Sequence, residues 1–312
     1  MSSIDARGWD PVILPTQAGT TIVVTGGTAG IGYFAAEQLA RAGARIILAA
    51  RSEHRADLAA ASIRARVRAA DIEYVNLELS SLESILDAGK HLTGLGPIDV
   101  LINNAGLTSG SATRQTTEDG LELIVGTNAF GHFALTALLA PALSEDARVV
   151  WVGSLATRLT RVRVDDLQQS HGDYSFSKAY AYSKHAVHGY AFELDRRLRA
   201  AGSSRSSLLA HPGFALDGLS LFRPGITDRV TPRRAAGERL LRLVAQGKDR
   251  GAWPIVRAAA DPSAQGGQFF GPRGRVKGEP VLVEPVADSA APEFGAELWR
   301  QSEAATGIHF AV

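Results

Sequence analysis

Between Val23 and Gly32 the chain reads VVTGGTAGIG. The run at 20–24 is apolar and β-rich, which makes it a buried strand. Gly26, Gly30 and Gly32 carry no Cβ, so the backbone there can turn sharply and come close to a ligand. The sequence at 33–41 is helical, with Gly43 placed to stop it. Taken alone, the glycines make only a tight turn. Between a strand and a helix they suit a dinucleotide diphosphate, because helix amides then face the negative charge. The spacing is GxxxGxG rather than GxGxxG. It also lacks the Lys-Ser/Thr ending of a nucleotide-triphosphate loop.

The same rhythm continues down the chain. Strands are expected at 44–49, 72–77, 98–102, 148–152 and 207–210. Helical sequence falls from 52, at 81–92, at 121–139 and at 180–198. Such alternation with short links requires a parallel sheet with helices on both faces. Gly266-Gly267 and then Phe269 to Pro272 predict a further strand and turn that close the sheet. No composition break separates a second domain. We therefore expect an arm at 1–19 and one dinucleotide-binding catalytic domain at 20–312. The least regular stretch, 214–234, is expected to be the substrate loop. It is either a lid over a cleft or a surface connection with one packed helix.

Composition narrows the function. The chain has 312 residues, 45% of them hydrophobic, enough for a sizeable core. There are 33 basic and 32 acidic side chains, net charge +1, so charge gives no reason to expect nucleic acid or an anionic membrane as partner. Cysteine is absent, which removes disulfides, thiolate catalysis and cysteine metal sites. No apolar run of about 18 residues is found, so no membrane span is expected. The start, MSSIDARGWDP, lacks the basic and apolar segments of a signal peptide. A cytoplasmic location is the expectation.

Brought together by such a fold, a few residues carry chemistry. An acid after the second strand would bind the ribose hydroxyls of NAD. Here Arg51 stands at that place, where a guanidinium pairs with the 2′-phosphate of NADP. Asn104, Ala105 and Gly106 follow the fourth strand, and ligands bind beyond the carboxyl ends of such strands. Tyr180 and Lys184 are four apart, hence on one helix face. A nearby ammonium favours phenolate, so Tyr180 can exchange a proton with an alkoxide. Ser154 ends the fifth strand, where its hydroxyl can meet a carbonyl oxygen. Asn128, in the long helix before it, can order a water beside Lys184. Tyr174 and Lys178 share the tyrosine-to-lysine spacing. Context favours Tyr180, which opens a long helical segment, whereas Tyr174 follows His171-Gly172-Asp173 and looks like loop. Tyr182 does not share the spacing and is expected to pack or to line the pocket. His185 and His188 have no third ligand placed with them, and no metal is expected. His132 is expected to fill core or surface, and His211 to shape the turn after the sixth strand.

Thr25-Gly26, Gly30-Ile31-Gly32, Asn103 to Gly106, Asn128, Ser154 and Tyr180 with Lys184 occur in one order. This combination resembles the short-chain dehydrogenase/reductase superfamily over about 20–307 of the chain. Ala50-Arg51, Asn128 to Phe133, Glu193-Leu194, His211-Pro212-Gly213, Gly266 to Pro272, and Leu298-Trp299 with Ser302-Glu303 are similar to its retinol-dehydrogenase-like group. The long gap from Ser154 to Tyr180 suits this group.

The resemblance implies a Rossmann-type three-layer α/β sandwich around a seven-stranded, mainly parallel sheet. It implies catalytic Asn128, Ser154, Tyr180 and Lys184. It implies an NADP site made by Gly26, Thr28, Gly30, Ile31, Gly32, Arg51, Glu78, Leu79, Asn104, Ala105, Gly106, Tyr180, Lys184, Pro212 and Gly213. The expected partner is a small carbonyl or alcohol substrate, fairly apolar given the residues at 214–222, in a homodimer or homotetramer. An NAD-preferring member of the fold and a non-catalytic dinucleotide-binding protein are the alternatives. There are departures. Glu78 stands where the family often has Asp, Thr28 and Ala29 where it often has Asn or Ser. A threonine common after Pro212-Gly213 is absent, with Leu216 and Asp217 nearby.

Overall fold

A computed structural model describes residues 9–227, 241 and 243–312. The first eight residues of the expected arm and positions 228–234 of the expected substrate loop lie outside the described residues. The chain alternates β1 (Thr21–Thr25), α1 (Gly30–Arg41), β2 (Arg45–Ala50), α2 (Glu53–Arg64), β3 (Ile72–Asn76), α3 (Leu82–Gly94) and β4 (Ile98–Asn103). Then come α4 (Leu123–Val125), a π-helical turn (Gly126–Phe130), α5 (Gly131–Leu139), β5 (Leu143–Val152), α6 (Phe176–Ala200) and β6 (Ser206–Ala210). The remainder comprises β7 (Ala215–Leu216), β8 (Gln246–Gly247), α7 (Lys248–Gly251), α8 (Trp253–Ala260), β9 (Phe269–Pro272), β10 (Pro280–Leu282), α9 (Ala287–Ala290) and α10 (Pro292–Thr306).

The main sheet runs β10-β9-β6-β5-β4-β1-β2-β3. Seven of these strands pair in parallel, as expected for a Rossmann-type sandwich. The eighth, β10, pairs antiparallel with β9 and forms the edge. It is three residues long and starts with Pro280, which is tolerated at an edge because proline cannot donate to a ladder. After β3 the chain crosses back to lay β4 on the far side of β1. The carboxyl ends of β1 and β4 therefore part to form a crevice.

Alternate residues of each strand face opposite layers. Val23 and Ile47 point to a core shared with α3, α5, α6 and α10. Ile22, Val24, Ile46 and Leu48 point to a core shared with α1, α2 and α8. Trp9 and Leu14 of the amino-terminal segment pack on this second core. The first core carries the aromatic weight. Phe133 meets Trp299 edge-on at 5.0 Å and Tyr190 at 5.3 Å, and Trp299 stacks on Phe310 at 4.7 Å. The helical stretch Leu123–Ala142 is long and apolar enough to cross a membrane by length and composition, yet 83% of it is buried inside this fold.

Two boundaries differ from the sequence reading. Helix α6 starts at Phe176 rather than at 180. Its N-cap, Ser175, makes no side-chain capping bond, so the usual start signal is missing. Strand β5 begins at Leu143, because Ser144 and Glu145 accept from Arg205 and Ser204 and extend the strand toward β6.

Trp299 is almost fully buried. Trp299→Ala is expected to lower unfolding free energy by about 3–5 kcal/mol. Urea denaturation followed by circular dichroism measures this, and a loss below about 1 kcal/mol would contradict the packing described.

Candidate active site

A cleft of about 970 Å³ opens at the carboxyl ends of the parallel strands. Its glycine turn has no room for side chains. Gly26 and Gly30 take φ of +64° and +57°, the left-handed region that favours glycine. A Cβ on Gly32 would lie 2.6 Å from Gly26 O. Helix α1 then begins with no side-chain cap on its amides and no acid in its first turn. Uncapped amides beside a bare backbone cradle fit a diphosphate.

The turn is fixed by Thr25. Its buried Oγ1 accepts from Asn104 N at 2.9 Å and Ala105 N at 3.0 Å, lacing the end of β1 to the end of β4. Asn104 Nδ2 donates to Thr25 O at 2.8 Å. Thr25 Oγ1 also lies 2.9 Å from His132 Nε2, and His132 Nδ1 lies 3.0 Å from Asn128 O. A carbonyl only accepts, so Nδ1 carries the proton and Nε2 takes the threonine's. Burial pushes the His132 pKa down to about 4, which keeps the ring neutral in this relay. The sequence reading took His132 as mere filling. It instead ties the glycine turn to the backbone of Asn128. No local pattern announces this, since the contact spans 107 positions.

Asn128 sits in the π-helical turn, a distortion that often marks functional positions. Its Oδ1 accepts from Leu107 N at 2.7 Å, and its Nδ2 donates to Leu107 O and Ser183 Oγ, both at 3.1 Å. Asn128 is thus buried one layer behind the cleft, bracing the Asn104 to Leu107 segment.

At the other wall, Ser154 and Tyr180 face the same cleft as Gly26 and Arg51. The Tyr180 phenol is hydrogen-bonded to Ser154. Burial raises the Tyr180 pKa, and the Ser154 bond only partly offsets it. Lys184 lies behind, its Nζ donating to Val152 O at 2.8 Å and standing 6.0 Å from the Tyr180 ring centroid. Burial pushes the Lys184 ammonium down to about 8. The sequence reading had the ammonium lowering the phenol. In this structure burial is the largest influence on the phenol, and it raises the pKa.

Tyr174 is not among the residues that line this cleft. Its hydroxyl donates to Glu122 Oε1 at 2.9 Å, and burial together with that carboxylate pushes its pKa up to about 12. Tyr182 is buried under Lys178, whose Nζ stands 5.3 Å from its ring centroid. His185 bonds Ser289 and Thr160 O, and His211 Nδ1 accepts from Gly213 N. Among the described residues no group of histidines and acids is arranged to hold a metal.

Beyond β2 the cleft is lined by Arg51, with the acid Glu78 beside it. Arg51 is mostly exposed, its Nη1 3.7 Å from Glu78 Oε2. Thr28, Ile31, Leu79, Pro212 and Gly213 line the cleft too. Two cations that the sequence reading missed also line it, Arg55 and Lys248. Arg55 lies in the first turn of the helix that Arg51 precedes, a spacing that could be read from the sequence. Described residues of the substrate loop, Phe214 to Asp217, form one rim. They are pinned rather than loose. Arg223 makes two bonds to Glu37 of α1, Nε to Oε2 at 2.6 Å and Nη2 to Oε1 at 2.8 Å, both side chains well buried.

The pattern of the short chain dehydrogenases matches residues 20–203, more than half of the chain. The chain belongs to the short-chain dehydrogenase/reductase family. It is 36% identical over 304 residues to polyprenol dehydrogenase of Mus musculus, covering 95% of this chain and 87% of that protein. It is 39% identical over 203 residues to retinol dehydrogenase 13 of Homo sapiens, covering 64% of this chain and 60% of that protein. A crystal structure of an uncharacterized protein from Mycobacterium Paratuberculosis superposes with TM-score 0.79 at 34% identity, covering 98% of this chain and 100% of that one. Within the family the chain falls in a retinol/polyprenol-dehydrogenase-like group, and it is an NAD(P)-dependent oxidoreductase.

Lys184 is expected to titrate near 8. Following the shift of its ε-carbon by NMR measures this. A midpoint at the ordinary lysine value of about 10.4 would contradict its desolvation.

Proposed function

We propose that this protein is an NADP(H)-dependent oxidoreductase that interconverts a long, apolar alcohol and its carbonyl compound. The observation that carries the reading is a single cleft lined by the glycine turn, Arg51, Ser154 and Tyr180. The bound dinucleotide supplies or accepts the hydride. The chain's own residues do the rest. The α1 amides and the bare turn take the diphosphate. Arg51, joined by Arg55 from the first turn of α2, takes the 2′-phosphate, for which a guanidinium is better shaped than the acid that NAD would need.

In reduction, Ser154 and Tyr180 both donate to the carbonyl oxygen and stabilise the charge that grows there. Tyr180 then passes its proton to that oxygen. Its raised pKa keeps the proton available until charge develops. Lys184, charged below about 8, stabilises the phenolate left behind. Asn128 holds the 104–107 segment in place through its bonds to Leu107. In oxidation the same groups act in reverse.

The substrate class rests on two supports. Phe214 and Leu216 line the cleft, and Phe214, Leu221 and Phe222 keep large apolar surfaces exposed in the adjoining segment. The relatives named polyprenol and retinol dehydrogenases carry names of isoprenoid alcohols. A long isoprenoid alcohol or aldehyde is therefore the first substrate to try.

Tyr180→Phe should retain NADPH binding and lose kcat by about 100-fold or more, as steady-state kinetics on such a substrate will measure. Turnover near that of the wild type would remove Tyr180 from the mechanism. Arg51→Ala should weaken NADPH about tenfold or more and leave NADH almost unchanged, the scale of a charge-assisted bond. Equal losses for both would move the 2′-phosphate elsewhere.

A further inference from the structure

Lys248 belongs to no motif, yet its side chain reaches across to the glycine turn. A Cβ placed on Gly30 would meet its Nζ at 3.4 Å and its Cδ at 3.5 Å. The same Nζ donates to Asp217 Oδ2 at 2.7 Å. Both side chains line the cleft. One ammonium therefore lies against the turn that would cradle a diphosphate and, at the same time, bonds the acid near the start of the substrate loop.

The arrangement is held from both sides. Lys248 N donates to Ser220 Oγ at 2.8 Å, just beyond the turn Asp217–Leu219. Strands β7 and β8 pair in parallel immediately before Asp217 and Lys248. Gln246 fixes this pair, donating to Pro212 O at 2.9 Å and accepting from Gly278 N at 3.0 Å. The side chains retain freedom, since Asp217 is 52% exposed and Lys248 is 24% exposed. Among the described residues the other cations lining the cleft, Arg51 and Arg55, stand beyond β2, and it is Lys248 that lies nearest Gly30.

We propose that Lys248 is a counter-ion for the cofactor's diphosphate, exchanged with Asp217, so that cofactor binding changes the setting of the substrate loop. This rests on the dinucleotide reading above. A diphosphate on the turn presents two charges to Lys248, whereas Asp217 presents one that water already screens. Nζ turns to the phosphate oxygens. Asp217 loses its partner and faces a like charge, which drives the Asp217–Leu219 turn away from the diphosphate. The coupling is reciprocal: whatever holds Asp217 away from Lys248 tightens the cofactor.

The test is cofactor affinity of the whole chain, read by nicotinamide fluorescence with NADPH and with NADH. Lys248→Met should weaken both by a similar factor, about tenfold or more, because the diphosphate is common to both. Lys248→Arg should restore most of the loss. Asp217→Asn should tighten both cofactors, by about threefold, because it removes the competing charge. Hydrogen exchange at 215–220 should change on adding NADPH to the wild type and not to Lys248→Met. Unchanged affinity in Lys248→Met, or weaker binding in Asp217→Asn, would overturn the inference, since the ion pair would then be a surface staple. A wild-type chain that binds neither dinucleotide would overturn the proposed function as well, which separates the two failures.

Discussion

One hydroxyl holds the two halves of the cleft together. Thr25 closes β1, and its Oγ1 receives the amides of Asn104 and Ala105 that close β4. These strands part just there, because the sheet grows outward from β1 in both directions. Without a bridge the crevice would present free amides and a loose turn. With it, the glycine turn acquires a wall. Through His132 the same hydroxyl reaches Asn128, whose side chain braces Leu107 and Ser183. Ser183 belongs to α6, the helix of Tyr180 and Lys184. Cofactor turn and chemical groups thus share one chain of buried hydrogen bonds, and such chains set position because each unmade bond is costly.

Charge sets the rest of the cleft. A neutral His132, a protonated phenol and an ammonium whose pKa is pushed down all follow from burial. The cations that line the cleft, exposed Arg51 at the β2 end and half-buried Lys248 at the turn, stand where an anionic ligand would arrive. The loop between them is anchored by Arg223 on Glu37. Burial works against that carboxylate, yet the guanidinium's bonds and charge hold its pKa below the ordinary value.

Much of this was legible in the sequence because it is local. The alternation of apolar runs and helical segments announces the parallel sheet. The glycine turn and the Tyr180–Lys184 spacing announce the two ends of the cleft. Context in the sequence favours Tyr180 over Tyr174, and in the structure Tyr180 lines the cleft while Tyr174 is bonded to Glu122. What was not legible is long-range. His132 meets Thr25, and Lys248 meets Asp217 across 31 positions, through pairings that no short pattern encodes. The start of α6 was misplaced because its Ser175 cap makes no capping bond and because the segment before Tyr180 has weak apolar periodicity. The edge strand β10 escaped notice because three residues beginning with proline carry little strand signal. The direction of the Tyr180 pKa was misjudged because sequence shows which charges are near and not how much water is lost.

The account stands on a meeting between the phenol of Tyr180 and the reactive ring of a dinucleotide seated on the turn at 26–32. A crystal structure of the protein with NADP bound tests it most directly. The account predicts the diphosphate on the α1 amides and the nicotinamide in the space between the turn and Tyr180, with room for a carbonyl against Ser154. A diphosphate seated elsewhere, or a nicotinamide directed away from Tyr180, would contradict it.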